Sequence, residues 1–163
     1  MSVIDVQKDV GTRSLTIVTD HPATPERLWR LWADPRQLDG WWGPPDYPST
    51  VTDHDLTAGG VVRYYMTGPG GERSYGGWRV LSAQPPSRLE MQDFFADADG
   101  NENTDLPSST MVVTIAGTAE GTARMTVATT WESAEAMQAV LDMGLEEGIR
   151  QSLAQLEALL AAD

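Results

Sequence analysis

Asp34-Pro35-Arg36-Gln37-Leu38-Asp39-Gly40-Trp41-Trp42-Gly43-Pro44-Pro45 sets two adjacent tryptophans between a helix-ending Asp-Pro and a Gly-Pro-Pro through which no helix can continue. Tryptophan is large and amphipathic, so two in a row at a backbone-restricted corner read as a core plug or as the wall of a cavity. Consecutive side chains point the same way only if the backbone turns between them. The expectation is therefore that one of Trp41 and Trp42 plugs the core beneath a sheet. The other lines a cavity mouth, where its indole N–H can meet water or ligand.

Upstream of this corner, Thr24-Pro25-Glu26 supplies an N-cap, a proline at the first helical position and an acidic first turn. Leu28, Trp29, Leu31 and Trp32 follow on one face, so a helix of two to three turns runs up to Pro35, with a shorter helical turn over 36–40. Further upstream, the β-branched alternation of 13–19 reads as the first strand, ending at Asp20-His21-Pro22. Downstream, β-rich runs near 49–54, 60–68, 74–83, 88–96, 109–117 and 122–131 are separated by Gly-, Pro- and Asp-rich turns, the pattern of an antiparallel meander. From Ser133 the apolar period becomes 3.6, which predicts one long amphipathic C-terminal helix. Gly144 and Gly148 fall on its apolar stripe. Each costs about 1 kcal/mol in helix propensity, so the backbone approaches something closely there or leaves space, as the roof of a pocket would.

The 163 residues carry 11 Lys+Arg against 24 Asp+Glu, a net charge of -13 that excludes nucleic acid and anionic membrane surfaces as partners. With no cysteine, thiolate metal sites, a cysteine nucleophile and disulfides are ruled out. The acidic start Met1-Ser2-Val3-Ile4-Asp5 does not resemble a signal peptide, and no run reaches the roughly twenty apolar residues of a membrane span. The expectation is one domain over 1–163, its core at 13–160 and an N-terminal extension at 1–12, in the cytoplasm.

The order of these marks resembles the activator of heat-shock protein 90 ATPase homologue family, within the START-like (SRPBCC, helix-grip) superfamily, as a single-domain member. Its marks are Pro25-Glu26-Arg27-Leu28-Trp29 leading to Asp34-Pro35, then Trp41-Trp42-Gly43-Pro44 and Ala58-Gly59-Gly60. Gly76-Gly77-Trp78, Pro85-Pro86-Ser87-Arg88-Leu89, Gly121-Thr122 and Glu146-Glu147-Gly148-Ile149 follow. The resemblance implies an α+β fold in which a curved antiparallel sheet wraps a long C-terminal helix, with two short helices after the first strand. It also implies an apolar cavity between sheet and helix that takes hydrophobic small molecules. Relatives often carry Trp where this chain has Ile149, which removes one aromatic from the helix face.

Strand alternation nominates the cavity lining. The candidates are Tyr64 and Met66, Trp78, Met91 with Asp93 and Phe95, Met111 and Val113, and Met125 and Val127. The corner adds Trp41 and Trp42, and the helix adds Met137, Val140, Leu141 and Leu145. The methionines suit a pocket that adapts to ligand shape; equally, all these side chains can simply fill a core. Asp93 stands out because it falls at an inward position between Met91 and Phe95. Either it is a polar anchor or acid/base group inside the pocket, or the strand shortens or bulges there or Asp93 pairs with an arginine such as Arg79.

His21 and His54 read as solvated turn residues, and no metal pair can be made from them. Asp97, Asp99, Asn101 and Asp105 faintly resemble a calcium loop, but Ser108 stands where a bidentate Glu is needed and flanking helices are missing, so a solvated hairpin loop is expected. Gly68-Pro69-Gly70-Gly71 lacks the following Lys-Ser or Lys-Thr of a phosphate loop and reads as a hairpin turn. Arg63, Arg79 and Arg124 are expected to pair with acidic residues on the outer face. The leading functional reading is non-enzymatic binding of a hydrophobic small molecule, with no cofactor, metal or catalytic residue. The alternatives are a chaperone-regulating or other protein-interaction module, and a cyclase- or hydratase-like enzyme using Asp93 or Tyr64. A homodimer through exposed strands is compatible with the pattern.

Overall fold

The computed structural model describes residues 2–162, with side chains over 5–162. Eight strands form one antiparallel sheet: β1 (Ser2–Asp9), β2 (Ser14–His21), β3 (Ser49–His54), β4 (Val61–Thr67), β5 (Arg73–Gln84), β6 (Arg88–Ala96), β7 (Ser109–Ala119) and β8 (Thr122–Trp131). Their order in space is β1-β2-β8-β7-β6-β5-β4-β3. From β3 to β8 each strand pairs with its chain neighbour, as short turns dictate, and β2 then closes against β8. The sheet is curved, and its inner face carries the alternate residues whose period-two pattern marks the strands: Val62 and Tyr64, Trp78 and Val80, Leu89 and Met91, Met111 and Val113, Met125 and Val127 are all buried.

Between β2 and β3 the chain must cross from one side of the sheet to the other, and two helices make that crossing. Helix α1 (Pro25–Ala33) starts at Thr24, whose side chain accepts the Arg27 N–H, and buries Leu28, Trp29, Leu31 and Trp32. Asp34 ends it and at once caps α2 (Pro35–Asp39) by accepting the Arg36 N–H at 2.9 Å. One residue therefore serves both helix ends, which is why the Asp-Pro step turns the chain sharply.

Two elements differ from the sequence-based expectation. Residues Ser2–Asp9, expected to be an extension, form edge strand β1, paired with β2 from Ser2↔Asp20 to Asp9↔Ser14. The C-terminal helical segment is interrupted: α3 (Ala134–Asp142), α4 (Leu145–Ala154) and α5 (Leu156–Ala161) follow one another, with the main break at Met143-Gly144. Gly144 has φ +90°, a left-handed conformation that glycine adopts without the Cβ clash other residues suffer. The 3.6 period continues through the break, so the apolar face survives although the axis bends. Ser133 caps α3 as expected, accepting the Ala136 N–H at 3.0 Å.

The bend lets α4 and α5 seat on the tryptophan corner. Gln155 Nε2 donates to the Trp41 carbonyl at 3.3 Å and the Gly43 carbonyl at 2.7 Å, and Leu153 and Leu156 are buried beneath. Outside the sheet, Arg79 pairs with Glu102 at 2.5 Å and lies over the Phe94 ring, Arg63 meets Asp53 at 3.5 Å, and Arg124 meets Asp20 at 2.8 Å, the expected outer-face pairs.

Candidate functional site

The corner is built as an aromatic cluster. Trp32 from α1 meets Trp41 edge to face at 4.7 Å, and Trp42 meets Trp41 at 5.4 Å, Trp78 at 4.9 Å and Tyr64 at 6.0 Å. Edge-to-face contacts of this kind stabilise by about 0.5–1.5 kcal/mol each beyond the area they bury. The two corner tryptophans take different roles. Trp41 is 1% exposed and donates its indole N–H to the Leu31 carbonyl at 2.9 Å, so it is the plug. Trp42 is half-buried and faces a cavity, with an Nε1 that is shielded yet without a hydrogen-bond partner among the described residues.

That cavity has a volume of about 450 Å³ and lies between the inner sheet face and the α3–α4 segment. Of the residues nominated from sequence, Trp41, Trp42, Tyr64, Met66, Asp93, Phe95, Met111, Val127, Val140 and Leu145 line it. Trp78, Met91, Val113, Met125 and Met137 do not reach its surface, because they fill the core, each no more than 1% exposed. Leu141 packs at the core margin instead. Glycines 144 and 148 both lie in the wall, as a pocket roof of small residues requires. Ile149 stands there too, in place of a larger aromatic.

Several lining residues escaped the sequence reading. Ser109 is the cross-strand partner of Asp93, and continuing the β7 alternation two residues back from Met111 would have found it. Ser152 and Leu153 follow from the helical period. Tyr47 and Met143, exposed side chains in the wall, lie in a loop and at the helix break, where no period reports orientation.

Asp93 is the chemical anomaly of the cavity. It sits in regular register, opposite Trp78 on β5 and Ser109 on β7, and β6 runs on to Ala96. The irregularity in the β5–β6 pairing lies away from it, between Val80 and Ser82. Its proposed partner Arg79 is engaged outside with Glu102, and no ion pair to Asp93 is present among the described residues. A strand end, a bulge and an Arg79 pair are thus all excluded. Burial pushes the Asp93 carboxyl up to about 7, although the Phe94 backbone N–H opposes the rise.

Tyr64 reinforces that polar end. Its hydroxyl packs on Gly76, where an added Cβ would lie 2.6 Å from the phenol oxygen, so a glycine is what admits the ring. Burial raises the Tyr64 phenol well above its ordinary value, and the charge of Asp93 raises it further. The indole N–H groups of Trp42 and Trp78 lie on the phenol's side and weakly favour its ionised form. Neither makes a hydrogen bond of good geometry to it.

The histidines correct the sequence reading. His21 is 2% exposed, not solvated, with Nε2 2.7 Å from Thr19 Oγ1, and burial lowers its pKa to about 4. His54 is half-buried, its Nε2 2.9 Å from the Trp32 carbonyl oxygen. The acidic loop folds on itself: Asp97 accepts the backbone N–H groups of Asp99 and Asn101. Among the described residues no helix is long and apolar enough to cross a membrane.

Residues 22–161 match the family described as activator of Hsp90 ATPase homolog 1-like protein. Protein Ms6760 from Mycobacterium smegmatis is 48% identical, with 99% of each chain covered and a TM-score of 0.90. A protein from Arthrobacter aurescens is 41% identical, over 99% of this chain and 94% of that one, with a TM-score of 0.94. One from Staphylococcus epidermidis is 25% identical over 98% and 94%, with a TM-score of 0.84. No curated protein matches significantly. With the match spanning most of its length and with the eight-stranded curved sheet closed by C-terminal helices, the chain belongs to the activator of Hsp90 ATPase homolog 1-like family and has the helix-grip fold.

Proposed function

We propose that this protein binds a hydrophobic small molecule in the cavity between the sheet and the α3–α4 segment. The observation that carries the reading is the cavity itself, about 450 Å³ and walled mainly by aromatic, methionine and aliphatic side chains. Small-molecule sites have volumes of roughly 300–1,000 Å³, apolar walls and a few placed polar groups. Here the sheet contributes polar groups to the wall: Tyr64, Asp93 and its cross-strand partner Ser109. An apolar body in the cavity with one polar atom turned toward Asp93 would use both features. Methionines 66, 111 and 143 in the wall let its shape adjust to its occupant.

The test uses N-phenyl-1-naphthylamine, an uncharged dye whose fluorescence rises on transfer to an apolar site. The wild-type protein is expected to bind it with one-to-one stoichiometry. Gly148→Leu places four carbons at the cavity wall; a Cβ there meets no atom of another element closer than the Pro44 ring at 3.8 Å, so the helix accepts the change. Overfilling of this kind costs about 1–3 kcal/mol, which weakens binding about fivefold or more. Equal dye binding by the two proteins, with circular dichroism unchanged, would overturn the cavity as the binding site.

A further inference from the structure

The charge census of the cavity wall points to the chemical class of its occupant. Among the described lining residues Asp93 is the sole carboxylate, and no Lys, Arg or His stands with it. The described residues that line the cavity beside Asp93 are free of positive charge on every element. Strand β4 presents Tyr64, and β7 and β8 present Ser109, Met111, Val127 and Thr129. The corner presents Trp42, and the helices present Val140, Leu145, Gly148 and Ile149. Tyr47 and Tyr75 add two phenols to the wall, neither cationic.

Arginines on β4 to β6 and on α4 have other partners: Arg79 pairs with Glu102, Arg63 with Asp53, Arg88 with Glu90 and Arg150 with Glu146, while Arg73 lies over the Tyr65 ring. An ionised carboxylate in an apolar enclosure needs a counter-charge, and the described lining residues provide none. An anionic ligand would add a second negative charge to the same space, which is unfavourable. Aromatic walls, by contrast, attract cations, and Trp42, Tyr64, Phe95 and Trp131 all line the cavity. The net charge of -13 also concentrates cations around the protein.

Resting on the cavity reading above, we propose that the site selects hydrophobic molecules bearing a protonated amine, with Asp93 as the counter-ion supplied by the protein. The ammonium nitrogen lies at Asp93, between Trp78 and Ser109 in the sheet, and the apolar body extends toward Met66 and Leu145. A carboxylate of the same size is rejected by the same residue.

The experiment compares decylamine, decanol and decanoate on the full chain at pH 8 by isothermal titration calorimetry. The three share an apolar tail and differ in head-group charge. Decylammonium is expected to bind about tenfold or more tighter than decanol, and decanoate more weakly than decanol. Tenfold is the linkage counterpart of an opposite charge lowering a carboxyl by one unit. In Asp93→Asn, decanol affinity is expected to stay within about twofold and the amine to fall to the decanol level. Carbon-13 titration of the Asp93 carboxyl adds an independent reading, with its midpoint expected to drop by about one unit or more under saturating decylamine. If decanol binds and the amine binds no better, or if the amine preference persists in Asp93→Asn, the amine assignment is overturned while the cavity reading stands. If none of the three probes binds, the cavity reading fails and this inference fails with it.

Discussion

Stability between pH 5 and 6.5 should be nearly flat in the wild-type protein because two buried groups oppose each other, and single substitutions should expose each slope. The Asp93 carboxyl moves from 3.8 to about 7 on folding, so between those values the native state holds a proton that the unfolded chain has released. Stability from this group is greatest below pH 4 and is lost as pH rises, by roughly 4 kcal/mol in full and less where water enters the cavity. His21 does the reverse. Its pKa falls from 6.5 to about 4, so the unfolded chain holds the extra proton and stability is lost as pH falls through that window, by about 3 kcal/mol.

The two sites are independent. In the sheet His21 is level with Ala123 on β8, and Asp93 reaches Trp131 on the same strand through Ser109. Those eight residue steps span about 26 Å, beyond the range at which substitutions normally couple. Urea unfolding followed by far-ultraviolet circular dichroism at pH 5.0 and 6.5 reads the slopes. Asp93→Asn should gain about 2 kcal/mol over that interval, His21→Asn should lose about 2 kcal/mol, and the wild type and double variant should change by less than about 0.5 kcal/mol. The exposed carboxylates whose pKa values are lowered, Asp20 and Glu146 among them, titrate mainly below this interval and are common to all four proteins. Parallel pH dependences in the four proteins would refute the placement of both groups.

Two structural substitutions test the supports of the site. Gly76→Ala drives a methyl to within 2.6 Å of the Tyr64 hydroxyl; it should destabilise by about 1–3 kcal/mol in urea unfolding, and the double variant with Tyr64→Phe should recover part of the loss because the displaced oxygen is gone. Gln155→Ala removes the two hydrogen bonds to the Trp41 and Gly43 carbonyls; a loss of about 1–2 kcal/mol is expected, with Trp fluorescence altered at the corner and little change in helix content.

The strands were readable because sheet burial is one-sided. Met111-Val112-Val113 and Met125-Thr126-Val127 alternate, and the structure buries the members assigned inward. The helix starts were equally readable from Thr24-Pro25 and Ser133, whose side chains act locally. What escaped were features decided by distant partners. Strand β1 depends on pairing with β2 and has little one-sided burial to impose a pattern; Lys8 and Asp9 are exposed. The break at Gly144 is a backbone event that leaves the 3.6 period intact, so periodicity passes over it. His21 next to Pro22 has the local look of a turn, yet it is paired with Ala123 on β8 and buried, and only the third dimension shows that.

The site divides along the same line. Period two identifies which side chains face inward but not how far the opposite layer stands from them, and that distance separates cavity wall from core. Met91 and Asp93 have the same inward parity on β6; Met91 is sealed at 0% exposed and Asp93 opens to the cavity. The difference arises above them. The cavity that Asp93 lines is walled in part by the α3–α4 junction, where Gly144 and Gly148 contribute no side-chain bulk and Val140 and Leu145 also line it. The same two glycines that cost helix propensity therefore leave the space that a carboxylate and a ligand can share, and past the break at Gly144 the end of α4 reaches the Trp41-Trp42 corner through Gln155. An alanine at Gly144 would be strained at φ +90° and would favour a continuous helix in place of the break.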